Sequence, residues 1–173
     1  MRAMIACLLA AAPAAVMAQS DIASRIINDP GAPVVSGAKG KLVDDAAVQG
    51  GKALRVTVAR KGKNNWDSTI ESPIGKPVKA GDRLLLVFQA RLVAGDNGAT
   101  TATIPYSAVQ QKAAPYSGVI SGEVMVGPEW KLNEIEGRAD KDYAADALKA
   151  TIQVGNAKQT IDFGPIVVLN MGK

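Results

Sequence analysis

The chain has 173 residues, with 20 lysines and arginines against 16 acidic residues, a net charge of +4, no histidine and a single cysteine. Without histidine the chain lacks the usual general base of serine and cysteine nucleophiles and the most common side-chain ligand of transition metals. Its basic residues are scattered and form no run that could follow a phosphate backbone, so we do not expect a nucleic acid as its partner.

Residues 1–18 have the pattern of a secretory signal peptide. Arg2 provides a positive start, an apolar run follows, and small residues lead to a cleavage site after Ala18. This run is too short to span a bilayer, and no later run is long enough, so we expect no membrane partner. The lone cysteine, Cys7, lies inside this segment and leaves no thiol for a disulfide elsewhere. We predict one domain over residues 19–173, in the periplasm or outside the cell.

The remaining chain is patterned as short strands separated by turns rich in glycine, proline and asparagine. Apolar and polar residues alternate in a way that predicts strands at 53–58, 82–92, 100–109, 119–126, 130–136, 148–154 and 160–169. Residues 139–148 could instead form one or two helical turns, because Asp140 is placed to cap them. Many short strands with little helix indicate an all-β sandwich or barrel.

The strand at 82–92 has two distinct faces. Leu84, Leu86 and Phe88 fall on one side and predict the core face. Gln89 and Arg91 fall on the other side, which becomes polar toward its end. We expect these two side chains to meet either solvent or a ligand.

Trp66 is the most conspicuous side chain of the polar loops. Its neighbours are Asn64, Asn65 and Asp67, so little apolar surface is available nearby to bury its ring. Two interpretations remain open: the ring covers one end of the sandwich, or it stacks against a ligand.

Three further aromatic residues can be assigned from their neighbours. Tyr106 alternates with Ile104 and Ala108, which slightly favours a place in the core over a ligand contact. Tyr116 follows a proline in a turn and is expected to be exposed. Trp130 begins a strand and is expected to pack against the domain.

Several segments, taken together and in order, resemble carbohydrate-binding modules of families 4, 9 and 22. They are GGKALRVTV, NNWDS, KAGDRLLLVFQARL, PEWKLNEIEG and QTIDFGPIVVLN, and the resemblance extends over roughly residues 30–170. It implies an antiparallel β-sandwich with the jelly-roll, galactose-binding-domain-like fold. It also implies a non-catalytic module that binds a glycan, and the candidate ligand contacts are Trp66, Gln89, Arg91, Tyr106 and Tyr116. Flat rings can stack on sugar C–H faces, and planar amide and guanidinium groups can hydrogen-bond to ring hydroxyls.

The same resemblance implies a structural calcium ion. Asp162, in the last strand, would bind it together with oxygens from near the N-terminus, with Asp29 as the first candidate and Asn28, Asp44 and Asp45 as others. The alternative is that Asp162 only hydrogen-bonds to a loop backbone.

Three functions are compatible with the sequence. The leading one is glycan binding without catalysis, with a separate secreted glycoside hydrolase as a further candidate partner. The second is a structural or protein-interaction module of the same fold that has lost its sugar site. A glycosidase would need two carboxylates at a fixed separation, and no motif selects such a pair, so we expect no enzyme.

Overall fold

The computed structural model describes residues 21–173 as two five-stranded antiparallel sheets. The predicted signal peptide and its cleavage site lie outside the described residues. Sheet I has the strand order β1-β4-β9-β6-β7, and sheet II has the order β2-β3-β10-β5-β8. The strands are β1 (Val34–Ser36), β2 (Lys39–Asp44), β3 (Lys52–Val58), β4 (Thr69–Ile74), β5 (Arg83–Ala94), β6 (Ala102–Gln111), β7 (Gly118–Val126), β8 (Lys131–Arg138), β9 (Leu148–Gln153) and β10 (Gln159–Asn170).

Among the described residues 21–173, helical structure is confined to short segments. Residues 21–25 are helical, and single 3₁₀ turns occur at Asn65–Asp67 and Asp96–Gly98. Within residues 21–173, no helix combines the length and the apolar character needed to cross a membrane.

The core lies between the two sheets and is built by alternation along the strands. Leu84, Leu86 and Phe88 on β5 are at most 1% exposed, which confirms the predicted core face of this strand. The ring of Phe88 lies 6.1 Å from that of Phe163 on β10, the strand hydrogen-bonded to β5. Burying each such side chain contributes about 1.5–3 kcal/mol, and this packing must stabilise a domain that has no disulfide.

Within residues 21–173, all seven predicted strands are present, with ends that shift by two residues at most, but three strands were not predicted. β1 and β2 are edge strands, and β2 is almost entirely exposed, so neither needs the apolar alternation that reveals a buried strand. β4 carries Glu71, Ser72 and Pro73 in its middle, which weakens its strand pattern. Tertiary pairing with β9 on one side and β1 on the other makes it a strand.

The helical turns predicted for residues 139–148 are not formed. Tyr143 instead pairs with Val78, since each backbone N–H donates to the other residue's carbonyl, at 2.8 and 3.0 Å. The Tyr143 ring is 7% exposed and its hydroxyl donates to Asp140 at 2.6 Å. Burying this ring against the core outweighs the weak local helix preference.

The amide of Asn28 connects the two sheets at one edge of the core. Its Nδ2 donates to the Ser72 hydroxyl on β4 and to the Ile166 carbonyl on β10, both at 2.8 Å. Its Oδ1 accepts a hydrogen bond from the Val168 N–H at 2.7 Å. One side chain therefore satisfies polar groups of both sheets.

We predict that Asn28→Ala lowers the free energy of unfolding by about 2–3 kcal/mol, because it leaves part-buried backbone groups without partners. Urea unfolding followed by circular dichroism measures this change. Gln49→Ala is the matched control, since Gln49 is exposed and its side chain forms no hydrogen bond within residues 21–173. Equal stability of the two variants would contradict the role assigned to Asn28.

Candidate functional site

A β-bulge in β6 places Tyr106 on the outer face of sheet I. Ile104 pairs with Val124 and Ser107 pairs with Gly122, so Pro105 and Tyr106 together oppose a single residue of β7. The extra residue reverses the alternation of inward and outward side chains. Before the bulge the even-numbered Ile104 faces the core, and after it the odd-numbered Val109 does. The core position that simple alternation favours for Tyr106 is therefore wrong.

Polar side chains surround Tyr106 on this outer face. Leu148, Ala150 and Ile152 of β9 are buried in the core, so the residues between them point outward. Cross-strand pairing aligns Tyr106 with Gln153, and Gln110 with Lys149. We define the polar face of sheet I by its outward-facing residues Glu71, Tyr106, Gln110, Lys149, Thr151 and Gln153.

The ring of Tyr106 leans across β7 toward the β6–β7 turn. A Cβ atom on Gly118 would lie only 2.7 Å from the Tyr106 hydroxyl, so glycine is required at this position for the ring to lie there. Desolvation by partial burial raises the pKa of Tyr106 above its ordinary value. The hydroxyl therefore stays protonated at neutral pH and can both donate and accept a hydrogen bond.

An ion pair and a second tyrosine lie toward the β6–β7 turn. Lys149 Nζ donates to Glu71 Oε1 at 2.6 Å, which joins neighbouring strands β9 and β4. Tyr116 is 55% exposed, as predicted, and its ring centroid lies 6.0 Å from Lys149 Nζ. Tyr116 adopts a left-handed backbone conformation with φ of 58°, which is uncommon for a residue other than glycine.

Trp66 lies beside the other end of β9 and is 63% exposed. Its 3₁₀ turn is held by polar contacts, since Asn64 N–H donates to Asp67 Oδ2 and Gly155 N–H donates to the Asn65 carbonyl, both at 2.9 Å. The backbone N–H of Asn64 is the main cause of a lowered pKa for Asp67. Because these contacts hold the loop, the exposed Trp66 ring is free for contact with a ligand.

Gln89 and Arg91 lie elsewhere, on the outer face of sheet II. Arg91 Nη2 is 3.1 Å from Asp162 Oδ2 and 2.7 Å from Asp45 Oδ2. Asp45 begins the β2–β3 loop, and Val48 of this loop packs close to Gly164, as does Gln89. The structure therefore separates Gln89 and Arg91 from Tyr106 and Tyr116, and the five predicted ligand residues do not share one face.

Trp130 completes this arrangement on sheet II. Its indole Nε1 donates to Asp45 Oδ2 at 3.4 Å, and the guanidinium carbon of Arg91 lies 4.8 Å from its ring centroid. Cation–π contact of this kind orients the guanidinium toward the two acids. Trp130 therefore packs against the domain, which confirms the structural role predicted for it.

Asp162 forms the centre of the same arrangement. Its side chain is fully buried and accepts from Arg55 Nε at 2.7 Å and from Arg55 Nη2 at 2.9 Å, in addition to Arg91. Burial alone raises the pKa of Asp162, but the hydrogen bonds and charges of the two arginines outweigh it and hold the pKa below its ordinary value. The carboxylate is therefore ionised and fully paired.

The predicted calcium site does not fit this geometry. Asp162 is neutralised by two arginines, Asp29 accepts a hydrogen bond from the nearby Gly31 N–H, and Asp44 pairs with Lys52. Across residues 21–173, no three or more acidic, histidine or cysteine side chains come together in a way that could hold a metal ion. The predicted ligands have other partners and do not form an oxygen cage.

Sequence reasoning missed Glu71, Lys149, Thr151 and Gln153 as members of the polar face. A signal for the last three was present, because these polar residues alternate with Leu148, Ala150 and Ile152 along β9. Glu71 could not be found in this way, because β4 itself was not predicted.

We predict that Asp162→Asn lowers the free energy of unfolding by about 3–5 kcal/mol, since it leaves two guanidinium groups without their buried counter-charge. Chemical denaturation measures the change. Lys52→Ala is the control: it breaks the exposed Lys52–Asp44 pair on the same sheet and should cost less than about 1 kcal/mol. Similar losses in both variants would contradict a central role for Asp162.

The same variant should change how stability depends on pH. The folded pKa of Asp162 lies below its unfolded value, so its contribution is present above about pH 4 and is lost as the pH falls through the folded pKa. Between about pH 5 and pH 2, Asp162→Asn should therefore lose less stability than the wild type. Parallel acid-unfolding curves for the two proteins would exclude this linkage.

Comparison with known proteins gives a consistent fold. No family model and no curated protein matches the sequence. A solved CBM4 domain matches with a TM-score of 0.63 and 17% identity, over 82% of this chain and 96% of its own. The N-terminal cellulose-binding domain of Cellulomonas fimi β-1,4-glucanase C matches with a TM-score of 0.60 and 17% identity, over 85% and 93% of the two chains.

A third structure, the CBM22-1 xylan-binding domain of Paenibacillus barcinonensis, matches with a TM-score of 0.58 and 12% identity, over 82% of this chain and 86% of its own. At such identities a structural match shows the fold and not the ligand. The chain is an all-β jelly roll with the fold of carbohydrate-binding modules.

Proposed function

We propose that this protein is a secreted, non-catalytic module that binds a glycan on the polar face of sheet I. The observation that carries the proposal is the β6 bulge, which turns Tyr106 outward beside Gln153. Trp66 lies beside one end of this face and Tyr116 beside the other, and both rings are more than half exposed. The shared fold of known carbohydrate-binding modules supports the proposal, and the predicted signal peptide supports secretion.

The chemistry of this face suits neutral sugars. Exposed aromatic rings can stack on sugar C–H surfaces, while the Gln153 amide and the Tyr106 hydroxyl can donate and accept hydrogen bonds. Lys149 and Glu71 are paired with each other, so the face carries no net charge from them. Gln153 and Lys149 are four residues apart on β9, about 13 Å along an extended strand, which favours an oligosaccharide over a single sugar.

The placement of acids on this face supports binding rather than hydrolysis. Glu71 lies on β4 and Glu123 on β7, with β9 and β6 between them. At the usual strand spacing their backbones are about 14 Å apart. Glycosidases use carboxyl groups about 5–9.5 Å apart, and Glu71 is also held by Lys149.

The remaining predictions from sequence have less support. Gln89 and Arg91 lie on the other sheet, so we do not include them in the proposed site. A separate secreted glycoside hydrolase as partner remains a prediction. The alternative, a protein-interaction module without a sugar site, would leave the exposed Trp66 and Tyr116 rings for a protein partner.

We expect Trp66→Ala and Gln153→Ala each to weaken glycan binding at least tenfold, because they remove a stacking surface and a hydrogen-bonding amide. A glycan array on residues 19–173 first identifies the ligand, with xylan and cello-oligosaccharides as initial probes. Isothermal titration then measures the variants. The thermal midpoint of Trp66→Ala should stay close to that of the wild type, since this ring is exposed.

Gln89→Ala is the matched control, because Gln89 is a half-buried amide on the outer face of sheet II. It should leave glycan affinity unchanged. Loss of binding in Gln89→Ala but not in Gln153→Ala would show that the glycan site lies on sheet II and not on sheet I. Absence of binding to any neutral glycan would favour the protein-interaction alternative.

A further inference from the structure

A basic cleft crosses the outer face of sheet II, on the opposite side of the sandwich from the polar face of sheet I. Its volume is about 520 Å³, which is within the range of small-molecule sites. The side chains that line it come from four adjacent strands and are Lys39, Lys41, Arg55, Thr57, Val93 and Thr160. We propose that this basic cleft binds an oxyanion, a carboxylate or sulfate group carried by an acidic glycan.

The strand register brings the cations and hydroxyls of the cleft together. Lys39 pairs with Thr57 and Lys41 pairs with Arg55, so these side chains stand beside one another on one face. Thr160 pairs with Thr57 on the next strand, and its hydroxyl donates to that of Thr57 at 3.3 Å. Ammonium groups therefore lie next to hydroxyl groups, a combination that can donate several hydrogen bonds to an anion.

The charge of the cleft is not neutralised by the domain. Arg55 is balanced by Asp162, and Arg91 by Asp45 and Asp162, so these four groups together carry no net charge. In contrast, neither Lys39 nor Lys41 forms an ion pair with any residue in 21–173. The two lysines leave an uncompensated positive charge at a concave surface, where it attracts anions more strongly than on a flat one.

Arg55 offers a further donor to the same ligand. Its Nε and Nη2 are occupied by Asp162, whereas Nη1 has no hydrogen-bond partner within residues 21–173. The buried carboxylate fixes the guanidinium plane, so this donor is held in place before a ligand arrives. Because Arg55 Nη1 is fixed beside two lysines, the cleft is better suited to one compact oxyanion group than to negative charge spread over a wide surface.

Additional cations extend the positive surface beyond one end of the cleft. Arg60, Lys61 and Lys63 follow β3, and Lys158 precedes β10, the two strands that carry Thr57 and Thr160. None of these four forms an ion pair among the described residues. A polymer with repeated negative charges could therefore continue past the cleft, which is why we favour an acidic glycan over an isolated ion.

The experiment compares Lys39→Ala/Lys41→Ala with a matched control, Lys131→Ala/Lys173→Ala. All four lysines are exposed and unpaired within residues 21–173, and the two double variants lose the same charge. The probes are polygalacturonate, heparin and inorganic sulfate, each titrated calorimetrically at low and at physiological salt. The wild type should bind at least one of the two polymers, and more weakly at the higher salt concentration.

We expect the Lys39/Lys41 variant to bind the polymer at least tenfold more weakly, while the control stays within about twofold of the wild type. Both variants should keep the wild-type thermal midpoint. Trp66→Ala should bind the acidic polymer normally, so this proposal and the glycan site on sheet I fail or succeed independently. Equal losses of polymer affinity in both lysine variants would show that only net charge matters, and would overturn the proposal. Binding of free sulfate without binding of either polymer would also overturn it.

Discussion

The buried carboxylate of Asp162 organises the outer face of sheet II. It lies on the central strand β10 and binds guanidinium groups from the strands on both sides, Arg55 on β3 and Arg91 on β5. Arg91 extends the contact to Asp45 and to the ring of Trp130. A charge in such a place is tolerated only when it is paired and hydrogen-bonded, so the position of each partner depends on the others. Arg55, Arg91 and Asp45 therefore hold the strands and the β2–β3 loop together through this network, although their polarity in the sequence suggests contact with solvent or a ligand.

Sheet I is organised by a backbone irregularity. One extra residue in β6 reverses the alternation of inward and outward side chains, so the strand can supply Ile104 and Val109 to the core and Tyr106 to the surface. The neighbouring strand β9 needs no such device, because its polar residues already alternate with its core residues. Together with Glu71 of β4, the two strands produce a surface with the Gln153 amide, a tyrosine and a compensated ion pair.

The two outer faces therefore differ in chemistry although they belong to one sandwich. On sheet I, Lys149 and Glu71 are paired with each other and exposed aromatic rings lie beside both ends of β9, which suits an uncharged ligand. On sheet II two lysines remain unpaired in a cleft above a network that is itself neutral, which suits a negatively charged group. Both faces are built on hydrogen-bonded strands, so neither needs a mobile loop to create its geometry.

The sequence by itself determined the class of fold, the buried face of β5 and the absence of histidine and thiol chemistry from the domain. These features depend on composition and on alternation within a single strand, which local reasoning can follow. It did not determine β2 or β4, because one is an exposed edge and the other is interrupted by polar residues and a proline. Alternation within β6 slightly favoured the core for Tyr106, the family resemblance made it a ligand contact, and the same resemblance joined Gln89 and Arg91 to Trp66. Only the tertiary structure decided these points, because a bulge is defined by the partner strand. Likewise, the partners of Asp162 are set by which strands become neighbours in space.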